Sequence, residues 1–125
     1  MRSSDDDILR FVAASFPSVW ALELLLALKR DPRLWTSTEL LASLRASELV
    51  VSKALDALVA AGLVSIEGEG ARYLPVNSDV SEYVDRVEQL YRSRPDKVRR
   101  AIISASASSA VAFADAFRLR RDKDG

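Results

Sequence analysis

Cysteine and histidine are both missing from this 125-residue chain. Without cysteine there are no disulfides, no thiolate nucleophile and no thiolate metal site. Without histidine the side chain most used for proton transfer near neutrality is gone as well. Glycine and proline number only four each, and nowhere do the glycines form a phosphate cradle with its lysine and following helix. Neither sign of charge dominates, since 18 basic residues face 18 acidic ones; a chain-wide attraction to nucleic acid is therefore absent. The most apolar run, Val19 to Leu28, is broken by Glu23 and is too short to span a bilayer. Asp5, Asp6 and Asp7 follow closely on Met1, unlike the apolar stretch of a secretory leader. Nucleophile elbows and metal-ligand clusters are also lacking, and the carboxylates have capping or ion-pair explanations. The expectation is a soluble cytoplasmic protein that is not an enzyme and needs no cofactor or metal.

What is present reads as one globular domain, 49% apolar and 29% charged. Ser4 followed by three aspartates suits the positive end of a helix running to about Ala14, with Ile8, Leu9, Phe11 and Val12 available for docking. Pro17 and Ser18 open a second helix, apolar almost all round and therefore buried on most sides, with Trp20 read as a core aromatic. Lys29 and Arg30 suit its negative end, and Asp31-Pro32 stops it.

The clearest local signal is Thr36-Ser37-Thr38-Glu39, a capping box, with Trp35 and Leu40 at the positions of a hydrophobic staple. The short helix it starts ends near Leu44, and only Arg45 and Ala46 separate it from Ser47, the N-cap of the next. Two helices joined this tightly cross steeply, as in a helix-turn-helix. In the second, Val51, Ala54, Leu55 and Leu58 form one apolar face, and Leu49, Ser52, Lys53, Asp56 and Ala60 project on the other side. Gly62 supplies a left-handed ending. Leu63 to Glu67 then alternates like a strand, Gly68-Glu69-Gly70 turns, and Ala71 to Val76 returns with Pro75 ending regular pairing.

Val51-Ser52-Lys53-Ala54-Leu55-Asp56-Ala57-Leu58, Ala61-Gly62-Leu63-Val64 and Gly70-Ala71-Arg72-Tyr73-Leu74 together resemble the recognition helix and wing of winged helix-turn-helix regulators of the MarR and ArsR type. The resemblance covers roughly Pro17 to Val76. It implies a mainly α fold with a small β-hairpin and additional C-terminal dimerisation helices. It also implies a recognition helix, 47–61, in the major groove and a wing, 64–75, on the flanking backbone. Ser52 and Lys53 match the serine and basic residue that meet DNA, and Arg72 matches the wing arginine. Ser47, at a helix N-terminus, and Arg45, in the turn, are further phosphate contacts, and Leu49 is placed to touch thymine methyl groups. Departures from the family pattern are Glu48 at the start of the recognition helix, apolar Leu49 and Val50, and Glu67 and Glu69 beside Arg72.

From Pro17 to Pro75 six cations face seven carboxylates. Because DNA affinity depends on phosphates neutralised, this implies weak binding by one copy and a need for a dimer. The C-terminal third offers helices for it. Val80, Val84, Val87 and Tyr91 repeat at seam spacing, and Phe113 and Phe117 sit on a last helix after a serine–alanine joint over 104–109. The resulting expectation divides the chain into an N-terminal helix (1–16), a winged helix-turn-helix (17–76) and a C-terminal helical dimerisation region (77–125). It is a homodimeric regulator of transcription whose partners are double-stranded DNA, a second copy and a small-molecule or protein effector of unknown identity, with no membrane. The other reading is a winged-helix interaction module that uses Leu49 and Val50 against a protein.

Overall fold

The computed structural model describes residues 4–105. Its elements, in order, are α1 (Asp5–Ser15), α2 (Val19–Arg30), β1 (Trp35–Thr36), α3 (Ser37–Leu44), α4 (Glu48–Ala60), β2 (Val64–Glu67), β3 (Gly70–Tyr73) and α5 (Ser78–Ser93). A sixth helix, α6, occupies 95–105. The protein is thus mainly helical, with one small antiparallel sheet in the order β1-β3-β2.

The expected caps form. Ser4 Oγ accepts from the Asp7 N–H while the Asp7 carboxylate accepts from the Ser4 N–H, a capping box at α1. Ser18 Oγ accepts from the Ala21 N–H and starts α2. At α3 the Thr36 hydroxyl accepts from the Glu39 N–H at 3.2 Å, and Glu39 accepts from the Thr36 N–H at 3.0 Å. Arg33, 2.6 Å from the other Glu39 oxygen, joins this N–H in holding the carboxyl down at about 2. After α4 the Gly62 N–H bonds to Val59 and the Leu63 N–H to Leu58, a Schellman ending that needs the positive φ of Gly62.

The core is built around α2. Its Ala21, Leu22, Leu24, Leu25, Leu26 and Leu28 are buried, as its sequence implies. Trp20 is the exception: it is 48% exposed because it lies on the one outward side of the first turn. The core reading of that residue is corrected. Val51, Ala54 and Leu58 of α4 and Leu40 of α3 pack into the same cluster.

The sheet contains a strand the sequence does not announce. Trp35 and Thr36 pair with Ala71 and Gly70, so β1 lies on the outer side of β3. Two residues that double as a staple and an N-cap carry no alternation to read. The pairing explains Gly70, since a Cβ there would stand 2.6 Å from the Trp35 carbonyl oxygen. At the hairpin tip Gly68 alone takes positive φ, as the first residue of a two-residue type II′ turn requires.

The C-terminal seam is corrected as well. Val84 and Val87 are fully buried within the single chain, and Val80 and Tyr91 pack on the same core. The reason is α1, which buries Ile8, Val12 and Phe16 and stacks Phe11 on Tyr83 at 5.1 Å. α1 and α5 therefore supply for each other the partner expected from a second copy. Phe113 and Phe117 lie outside the described residues.

Ion pairs tie α5 to α2. Lys29 Nζ is 2.8 Å from Glu88 and 3.2 Å from Asp85. The Glu88 bond raises the Lys29 pKa, and Lys29 in turn lowers that of Glu88. Tyr91 adds a hydrogen bond from its hydroxyl to Glu23, and burial pushes the phenol up.

Candidate nucleic-acid interface

Three residues, Arg45, Ala46 and Ser47, join α3 to α4, and the geometry of the first is unusual for the side chain it carries. Arg45 caps α3 in the left-handed region at φ 52° and ψ 39°. Such a conformation disfavours any residue with a Cβ by about 1 kcal/mol or more, and glycine is its ordinary occupant. The turn leaves Arg45 exposed, and Ser47 Oγ then accepts from the Val50 N–H to start α4.

With Val51, Ala54 and Leu58 anchored in the core, the opposite face of α4 must point out. Leu49 is 63% exposed, and Ser52, Lys53, Asp56 and Ala60 are exposed beside it. Val50 is partly buried, less exposed than Leu49. The structure thus brings Leu49, Ser52 and Lys53 onto one outward surface, with Arg45 and Ser47 at its leading end.

The hairpin flanks that surface. Ser37, in the first turn of α3, donates its hydroxyl to the Glu69 carbonyl at 2.9 Å and fixes the tip. Arg72 is exposed on β3, but its Nε is 3.2 Å from the Glu67 carboxylate. The hairpin cation is therefore partly neutralised by its neighbour. Arg45, Glu48, Lys53 and Asp56, by contrast, have no ion pair among the described residues.

Between α4 and the hairpin runs a cleft of about 430 Å³. Leu41, Val51, Leu55 and Ile66 give it an apolar floor, and Glu48 and Asp56 form part of its acidic edge. Ile66 is 51% exposed although it stands where alternation turns a strand residue inward, and it lines this open cleft. No local sequence signal marks this cleft, since its walls come from three separate elements. Among the described residues no group of three acidic or other metal-ligating side chains gathers, and no single helix is long and apolar enough to cross a membrane.

Comparison with protein-family models, curated proteins and solved structures returns no match.

Proposed function

We propose that the chain belongs to the winged helix-turn-helix class, with α2, α3 and α4 as its helical body and β2–β3 as the wing. Within that class we infer a DNA-binding regulator of transcription that acts as a homodimer, with α4 in the major groove and the hairpin on the flanking backbone. The observation that carries the reading is the outward face of α4. It presents Leu49, Ser52 and Lys53 to solvent beside an exposed cation held in a left-handed turn. The element order α2-β1-α3-α4-β2-β3 supports it further.

Arg45, Ser47 and Lys53 take phosphates or base edges in this reading, and Arg72 reaches the backbone once it leaves Glu67. Fluorescence anisotropy with mixed genomic DNA fragments across a salt series tests it. Lys53→Ala/Arg72→Ala is expected to abolish binding at moderate salt and to flatten the salt dependence, by about 0.9 in log–log slope for each phosphate no longer neutralised. Glu67→Gln should do the opposite and tighten binding, because it releases Arg72. An unaffected double variant, or no binding even at low salt, rejects the proposal. The exposed Leu49 and Ile66 favour the second reading, a protein-interaction module, in that event.

A further inference from the structure

The cleft between α4 and the hairpin sets its charged and aliphatic groups in a definite order. Leu41, Val51, Leu55 and Ile66 make the floor. Its ionised side chains are two carboxylates, Glu48 and Asp56, and neither has an ion pair among the described residues. No lysine or arginine lines it. Arg72 stands opposite Ser65, so strand alternation turns it to the other face of the hairpin from Ile66, where Glu67 holds it.

The spacing of the carboxylates selects the kind of cation. Eight residues apart on α4, they are separated by about 12 Å along the axis and about 80° round it, both on the cleft side. Val51 and Leu55 fall between them in height. The separation is too great for the two to share one metal ion or one ammonium group. It fits a ligand with a cation at each end and an apolar chain between, and eight methylenes between two amines span about 11 Å at ordinary bond lengths.

We propose that the cleft binds a linear aliphatic diamine of this length, its ammonium groups on Glu48 and Asp56 and its methylenes on the floor. A volume of about 430 Å³ lies within the range of small-molecule pockets. A protein partner would cover roughly 20–30 residues, against eight lining this cleft. The binding rests on neither DNA nor a dimer. Under the proposed function Ser52 belongs both to the cleft and to the DNA-facing surface, so diamine and DNA contend for it and the diamine acts as an effector that weakens DNA binding.

Calorimetric titration of the full chain with 1,8-diaminooctane makes the test, at low salt and near neutral pH, where both amines are charged. Amide chemical shifts locate the ligand, and they should move at Ser52, Leu55 and Ile66. Octylamine has the chain but one charge, and 1,3-diaminopropane has both charges but spans only about 5 Å. Each should bind at least roughly threefold to fivefold more weakly, the worth of one exposed ion pair. Glu48→Gln and Asp56→Asn should each cost a similar factor, and the two together roughly tenfold or more. Both side chains are exposed, so circular dichroism melts should be little changed. Ile66→Ser should weaken binding through the floor alone. Equal affinity for 1,8-diaminooctane and octylamine, indifference to both carboxylates, or shifts away from the cleft would overturn the proposal. Stronger binding by a short blocked peptide with a lysine at each end would overturn it in favour of a protein segment. No DNA enters these measurements, so a failure here and a failure of the DNA reading are told apart.

Discussion

The α2–α5 contact and the outer face of α4 use charge in opposite ways. Where α5 meets α2, Lys29 is held between Glu88 and Asp85, and Glu88 also lies near Arg30 and Arg92; the Lys29 and Glu88 side chains are only 19% and 12% exposed. On α4, Glu48, Lys53 and Asp56 stand exposed and without an ion pair among the described residues. The apolar residues divide in the same way. Val84 and Val87 vanish into the core while Leu49 and Ile66 remain outside. A seam that looks intermolecular on paper is thus internal architecture, and the face left unmatched is the one available to another molecule.

The sharpest way to break this contrast is to place the same carboxylate in each region. Val87→Asp sets an unpaired charge among fully buried side chains and is expected to cost at least ~3 kcal/mol, a large part of a typical domain's stability. Leu49→Asp should change stability by no more than about 0.5 kcal/mol, since the site is exposed and near a helix N-terminus. Urea unfolding of both variants makes the measurement. Comparable losses would mean that the α4 face is covered in the free protein.

A double-variant cycle on Lys29→Met and Glu88→Gln sharpens the charge half of the comparison. The coupling expected is about 1 kcal/mol, reduced from that of a fully buried pair because both groups retain some contact with water. Its pH dependence follows from the directions of the shifts. The Glu88 pKa is lowered, so its contribution is complete above the ordinary carboxylate value of 4.5 and fades as pH falls through the folded value. The Lys29 pKa is raised, so its contribution is complete below 10.5 and fades as pH rises through the folded value. The coupling should therefore be flat between those limits and decline at both ends.

Glu39, in the first turn of α3, belongs to neither region, and its test is local. Its carboxyl titrates at about 2 because Arg33 and the Thr36 N–H bind the charged form. Carbon-detected NMR titration should place the midpoint there, and Arg33→Ala should move it up towards 4.5 while leaving the Thr36 cap in place. Acid below pH 4.5 should begin to loosen the α3 capping box only as the folded value is approached.

Much of this frame is legible in the residues themselves because its signals are local. Ser4, Ser18, Thr36, Ser47 and Asn77 are all N-caps in the structure, and the i, i+3, i+4 stripe of α4 is the face it buries. What escapes is long-range. The pairing of Trp35 with Ala71 joins positions 36 apart, and the Glu67–Arg72 ion pair depends on how the hairpin folds back. Seam spacing on α5 specifies that a helix will pack along it; it does not say whether that helix is α1 of the same chain or one from another copy. The α4 surface residues are legible because burial of one face dictates exposure of the other. The cleft is not, because α3, α4 and β2 meet there only in three dimensions.

Arg45 separates structural from functional use of a residue by the sign of two effects. If the arginine served only to end α3, glycine would do so better, since its backbone takes φ 52° without a clash. Arg45→Gly should therefore leave stability unchanged or raise it by up to ~1 kcal/mol, the left-handed penalty removed being partly offset by the greater freedom of glycine in the unfolded chain. For a domain of this size that is a rise of a few degrees in Tm. If the proposed DNA reading holds, DNA affinity should fall in the same variant, with the salt slope shallower by about 0.9 per chain. Arg45→Asn provides the control, because asparagine tolerates the left-handed region but carries no charge, and it should match glycine in weakening DNA binding. A more stable protein that binds less well would show that the turn keeps a strained arginine for its charge. A variant that is less stable would place the side chain in the fold instead, and the DNA contact assigned to the turn would have to move elsewhere on α4.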